Sequence, residues 1–456
     1  MWRSAILRWG MPSHRVGLFL SVTLAAVQVI AAQTIVNSVF TPQGGSAYYG
    51  DPNNWSPPGV PNNSPEKSFN VTVGEQISLN IDPTVSNLTL VSATLLAEGH
   101  SLVVNGSFTN GGQSRMTSAF DQPSLFTILG ALTNFDAGSR TLTGGSYYLG
   151  GTYIVGSNHP TVLQFAGADI VHNAASIGLF HPQAKIVDEN GSDALRNFAH
   201  NTAAGVFSLS GTHFSLPGNF TNDGLITVWD GTLSVNGSLT NFDPSTRTLT
   251  GGRYTVYWAG NTPSRFAFNG ADIVDNAASI SLFSSAKILD QNGNDALRNF
   301  AHNLHAGEFT IDDSYVFTAA ADFTNAGVVN IRGTGDISRA RFTVPSGHRY
   351  IQTEGATNLL DANFTGKMEI AGGLFTTGGN PYFGNPAFLD GDLTIGDALL
   401  VPRAFSVQGT VHLSASSRLL TSAENYVPFT VGQFTAGGTL QIAIPQVQPS
   451  ASASYP

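Results

Sequence analysis

The sequence predicts an all-β protein: a parallel β-helix (β-solenoid) with an N-terminal cap and a looser C-terminal β-region. Three observations predict it. A long segment occurs twice, offset by 102 to 107 residues. A shorter strand-and-turn motif recurs inside it, at spacings such as 19 and 24 residues. Charge is sparse, at 11% of residues against about 25% in ordinary soluble domains. One coil of a solenoid cannot bury its own apolar face, whereas stacked coils share a continuous core. Sparse charge follows, because a buried ladder excludes unpaired ions.

Composition excludes several function classes. Among 456 residues there is no Cys, so a disulfide scaffold, a Cys-ligated metal site and a thiol enzyme are ruled out. A net charge of −10 argues against nucleic-acid backbones as partners. A hydrophobic share of 41% is too high for a disordered chain. The 50 glycines open no phosphate-binding strand–helix unit and read as turns. No Gly-x-Ser-x-Gly elbow lies in an α/β context.

Residues 1–32 read as a signal peptide. Arg3, Arg8 and Arg15 precede the uncharged run Val16–Ala32, which ends in small residues. Cleavage there leaves Gln33 first and takes the charge from −10 to −13. Met11 is an alternative start, and an uncleaved anchor is the alternative reading of the run, whose 17 residues sit at the lower edge of a span. Later apolar stretches are short and interrupted. The expectation is therefore export from a bacterium to the cell surface or medium, with no membrane span after cleavage.

Residues 33–99 form the expected capping β-region. They carry GDPNNWSPPGVPNNSPEK around Trp55, a segment suited to covering the edge of the first coil. Residues 100–345 are the expected solenoid, with two copies of a unit of about 105 residues. Leu132–Gly145 returns as Leu239–Gly252, Gly167–Phe180 as Gly270–Phe283, and Ala184–Asn201 as Ala286–Asn303. The offset drifts between Ser146 and Ala166 and near His181–Gln183, which places loops there. The short motif ends in Thr-Asn at Asn110, Asn134, Asn222 and Asn241 and again at Asn325. Its alternating apolar run reads as a strand, and its Thr-Asn as a turn. Equivalent Asn residues should stack from coil to coil. Asp193–Ala199 reads as one helical turn capped by Asp193, with Leu195, Phe198 and Ala199 inward. Residues 346–445 read as further strands and 446–456 as a disordered tail. A string of β-sandwiches of about 100 residues is the alternative architecture, but the motif recurring within the unit favours the solenoid.

Candidate chemistry is thin. Asp188, Asn190 and Asp193, repeated as Asp290, Asn292 and Asp295, place oxygens around a Gly as Ca²⁺ requires, yet the terminal bidentate Glu is missing. The same residues make an Asx turn followed by a cap. Arg196 with His200, and Arg298 with His302, repeat at i and i+4, as a surface pair would. His172 becomes Asp275 in the second copy. Asp169 and Asp272 are possible carboxylates for sugar chemistry. Tyr147, Tyr148, Tyr254, Tyr257 and Trp258 are possible stacking residues, although strand aromatics usually pack. No catalytic, cofactor or metal residue is assigned, and no cofactor is expected.

The series Leu-Thr-Asn-Phe, Thr-Leu-Thr-Gly-Gly, Gly-Ala-Asp-Ile-Val and Asp-x-Asn-Gly-x-Asp-Ala-Leu-Arg-Asn-Phe resembles the β-strand repeats of large secreted bacterial proteins of the autotransporter-passenger or filamentous type. Residues His348–Gly373 are similar to one of their coils, and Trp55 with Gly59 and Pro61 to their entry segment. The resemblance covers Trp55–Ile444. It implies a parallel β-helix at the cell surface or outside the cell and carries no catalytic residues. No C-terminal anchor or sorting motif is evident. The reading is a secreted or cell-surface structural or adhesive rod without catalytic activity, with surface glycans or other envelope proteins as partners. The alternative is a polysaccharide-binding or polysaccharide-degrading protein on the same scaffold.

Overall fold

The computed structural model describes residues 33–42, 47–116, 122–150, 161–257, 263–333, 338–378, 386–401, 405–419 and 429–436. The leader, Trp258, residues 151–160 of the first expected loop and the C-terminal tail lie outside them, and the rest of that expected loop is largely strand, Ser146–Leu149 and Thr161–Phe165. The chain is all-β and built from large parallel sheets, as a β-helix is.

One coil shows how the sequence makes the fold. Thr221–Asn222 lies on a first face, Leu225–Trp229 on a second and Thr232–Val235 on a third. Leu239 then returns to bridge Phe220 in parallel. Ile226, Val228, Leu233 and Val235 alternate inward and are buried. The 19-residue motif spacing is thus one circuit of the coil. On the second face parallel pairing is unbroken from Ile77–Ser78 to Arg418–Leu419.

Both ends belong to this pairing. Thr34–Phe40, Lys67–Val73, Asn87–Leu90 and Phe108–Asn110 pair in parallel, so residues 33–99 contain the first coils as well as the cap. The cap centres on Trp55, whose strand pairs antiparallel with Val39–Phe40. Its ring meets Phe40 and Tyr49 edge-on, and its Nε1–H donates to the Tyr49 carbonyl at 2.8 Å. Past residue 345 the parallel register continues, and the strands lengthen. Lys367–Gly378 and Leu393–Val401 each run through a corner and occupy two faces.

The interior holds an amide ladder beside an aromatic stack. Asn173 Nδ2 donates to Asn201 Oδ1 at 2.9 Å, and Asn201 Nδ2 to Asn222 Oδ1 at 2.8 Å. In the second copy Asn276 donates to Asn303, and Asn303 to Asn325, both at 2.9 Å. These side chains are almost fully buried, and each pairing saves an otherwise costly buried amide. One sequence reading needs correction here. At Asn110, Asn222 and Asn325 the Thr-Asn is strand, not turn, and the Asn faces inward. The turn survives in the side chain: Asn325 Oδ1 accepts the Gly327 amide at 3.1 Å. Alongside, Phe323 stacks on Tyr350 at 5.5 Å and Phe342 on Phe364 at 5.3 Å, which accounts for much of the Phe content.

The expected helical turn is absent. Asp193–Ala199 makes tight turns instead, because Val187 and Asp193 form an antiparallel bridge that folds the strand back on itself. Leu195 and Phe198 do point inward, with Ala194 rather than Ala199 as their companion. The third face is interrupted at this excursion. Among the described residues no pairing links Lys185–Val187 to His213–Leu216, or Lys287–Leu289 to Val316–Thr318. The expected loop at His181–Gln183 is a turn. Among the described residues no helix is long and apolar enough to cross a membrane.

Candidate functional site

The duplicated acidic turns are built around amide donors. Asp188 Oδ1 accepts the amides of Asn190 and Ser192, each at 2.9 Å, and Arg196 lies 3.5 Å from Oδ2. Asp290 repeats this with Asn292 and Asn294, and its Oδ2 takes the Asn294 side chain at 2.8 Å. Backbone and side-chain donors hold both carboxyls below the usual range. Asp193 accepts the Leu195 amide, and Asp295 meets Lys287 Nζ at 2.8 Å. The carboxylates of Asp188, Asp193, Asp290 and Asp295 are thus engaged by N–H groups and cations, as an Asx turn engages them.

Asp169 and Asp272 each sit between two guanidinium groups. Asp169 bonds Arg140 and faces Arg196 at 3.7 Å, with Asn197 Nδ2 at 3.0 Å. Asp272 bonds Arg247 at 2.6 Å, faces Arg298 at 3.4 Å and accepts from Asn299 at 2.9 Å. Arg140 and Arg247 have left-handed backbone, φ 54° and 58°, which costs an L-residue roughly 1–2 kcal/mol. Each carbonyl there accepts two amides from the next coil, and each side chain is tied to the Asp. The carboxylates are staples for a strained hairpin. Burial pushes the Asp272 carboxyl up, but Asn299, Arg247 and Arg298 outweigh it and hold it low. A depressed carboxyl stabilises the fold above its unfolded value near pH 4 and loses that contribution as pH falls through the folded value. Asp272→Asn should therefore lower the melting temperature at pH 7 and leave it nearly unchanged near pH 2. An equal loss at both pH values would refute the staple.

The repeated Arg–His pairs do not meet as i, i+4 neighbours, because no helix forms. Arg196 turns to Asp169 and Asp188, while His200 Nε2 lies 2.9 Å from Asp223 Oδ2. His302 meets Asp275 at 2.5 Å. The His172-to-Asp275 exchange thus replaces a ring packed edge-on against His200 by a carboxylate partner for His302.

Two of the proposed stacking residues fail. Tyr147 and Tyr254 are interior, and burial pushes both hydroxyls up. Tyr148 packs on Phe180 at 5.6 Å. Tyr257 remains on the surface and belongs to a row that sequence reasoning missed. On the outer side of the second face Trp229, Tyr257 and Phe283 follow one another coil by coil, with centroids 6.1 and 4.1 Å apart. Trp229 is 42% exposed. Asp312 pairs with Phe283 in register and continues the row. Beside it runs a column of small polar residues, Thr227, Thr255, Ser281 and Thr310.

This patch is duplicated only at Phe283, whose counterpart is Phe180. Tyr257, Arg253, Glu308 and Asp312 stand where the first copy has Gly150, Ser146, Val206 and Ser210. The interior positions between them match in character, with Tyr254 for Tyr147 and Phe309 for Phe207. Comparing outward positions of the aligned copies was the available signal. No protein-family model, curated protein or solved structure matches the chain.

Proposed function

We propose that the chain is an adhesive rod, exported and working at the cell surface or outside the cell, that binds glycan without cleaving it. The observation that carries this reading is the outward row of Trp229, Tyr257 and Phe283, which the first copy breaks by placing Gly150 at the Tyr257 position while keeping Phe180 at that of Phe283. Outward positions that differ between the copies, Tyr257 against Gly150 and Asp312 against Ser210, carry no duty shared by the fold and are left for a partner. Aromatic side chains offer large, rigid contact area, and a rod can repeat weak contacts along its length. Export rests on the leader read in residues 1–32, and the resemblance to secreted bacterial repeat proteins points the same way.

Cleavage of polysaccharide at this face is a second reading, favoured by the unduplicated carboxylates Glu308 and Asp312. It is the weaker one. Both Glu308 oxygens are engaged, by Ser279 at 3.0 Å and Asn330 at 3.2 Å, whereas glycoside hydrolysis needs a working pair of carboxyl groups. The test is incubation with cellulose, xylan, mannan and peptidoglycan, scoring both retention and new chain ends. The expected result is retention without release, weakened about tenfold by Trp229→Ala. Release of chain ends would make the protein an enzyme. Neither retention nor release would discard the glycan reading and leave protein partners from the envelope.

A further inference from the structure

Asp312 is a buried carboxylate that the fold does little to compensate. It is 8% exposed, and among the described residues no ion pair joins it. Its Oδ1 accepts the neighbouring Asp313 amide at 2.8 Å. Phe283 lies beside it in register, and Tyr257, one coil further, is close enough to feel its charge. The outward Arg332 opposes the desolvation without forming a bridge. Burying a carboxylate this way costs free energy unless something is gained. The first copy avoids the cost with Ser210 at the equivalent position, so the fold does not require an acid there.

The structure assigns Asp312, in our reading, as the specificity-determining residue of a site for a linear neutral glycan that lies along the rod axis over Trp229, Tyr257 and Phe283. The inference rests on the glycan reading above and adds the ligand's class, its direction and its polar anchor. The row advances one ring per coil, about 4.8 Å, so only a ligand running across the strands meets all three rings. The neighbouring Thr227, Thr255 and Ser281 offer hydroxyls along the same line. A largely buried carboxylate at the end of an aromatic row accepts hydrogen bonds from sugar hydroxyls, and strongly, because water competes poorly there. A polyanionic glycan would meet Asp312 and Glu308 with like charge.

The test uses the whole chain with cellohexaose, xylohexaose and mannohexaose, their dimer-to-pentamer series, and polygalacturonate as the anionic comparison. Expected is binding of at least one neutral hexamer, tightening with length up to four rings and then levelling, with polygalacturonate bound at least tenfold more weakly. Asp312→Asn and Asp312→Ser should each weaken binding about tenfold, the loss of one charge-assisted bond. Both variants should fold. Burial pushes the Asp312 carboxyl up, so its ionised form opposes folding as pH rises from about 4, and both should melt higher than the parent at pH 7. Binding that survives both variants within twofold, or shows no length dependence, would overturn the assignment and leave the adhesive reading standing. No binding of any neutral glycan would overturn both.

Discussion

Asn201→Ala should cost on the order of 2–4 kcal/mol locally and open the rod at its middle. Asn201 accepts from Asn173 and donates to Asn222 Oδ1, the Gly205 carbonyl and the Leu225 carbonyl, at 2.8 to 3.3 Å. Truncation strands at least the Asn222 oxygen in a dry interior, and an orphaned buried group costs about 1–3 kcal/mol. The deleted amide also leaves a cavity. Solenoids unfold by neighbouring coils rather than all at once, so a global melting curve understates such a change. Hydrogen exchange is the proper readout. Amides of Thr202, Val206 and Leu225 should exchange about 30-fold faster or more, while those around Phe364 stay protected. Asn197→Ala, which removes an exposed amide from Asp169, should change exchange around Asn201 little. Equal effects of the two substitutions would mean that the ladder is incidental.

Much of this fold was legible because a stacked coil repeats its chemistry along with its geometry. The matching blocks, the alternating strands and the expected Asn stack follow from sequence. Four of the six ladder residues did not. Asn173, Asn201, Asn276 and Asn303 sit in local text such as His-Asn-Ala-Ala and Ala-His-Asn, unlike the Phe-Thr-Asn motif, and only the register aligns them. Past residue 345 the sequence showed only looser strands and one resembling coil, for a related reason. The ladder position held by Asn325 is taken by Gln352, then Ile370 and then Ile395. The amide that marks the coil in sequence is exchanged for aliphatic packing while the pairing goes on.

The surface patch was less legible still. Tyr254 and Tyr257 look alike in sequence, yet strand parity sends one into the core and the other to the surface. A one-residue difference in where the strand starts decides between them. Asp312 gave no signal alone, since an acid after Ile311 reads as an ordinary solvent-facing residue. Its burial arises from neighbours on other coils.

Gly327→Ala should destabilise by about 3 kcal/mol or more. A Cβ there would stand 2.1 Å from the Gly307 carbonyl oxygen and 2.3 Å from that of Leu304. Neither atom can retreat. Gly307 O accepts the Val328 amide at 2.9 Å in the parallel ladder, and Leu304 O accepts the Gly307 amide at 2.7 Å. The clash is therefore with hydrogen-bonded backbone of the coil below, and relief requires separating two coils. Backbone conformation is not the cause, since Gly327 is outside the left-handed region. Gly224 and Gly355 approach carbonyls as closely, at 2.1 and 1.9 Å, so these corner glycines set how tightly successive coils stack. Gly218→Ala is the matched control. No atom lies within 4 Å of its Cβ, and its φ is ordinary. Restricting the unfolded chain should there raise stability by about 0.4–1 kcal/mol. Denaturant midpoints of the two variants should move in opposite directions, with exchange of the Val328 amide accelerated only in Gly327→Ala. A Gly327→Ala protein as stable as the parent would show that the coils can slide apart at their corners without loss, and close stacking would no longer explain the recurring glycine.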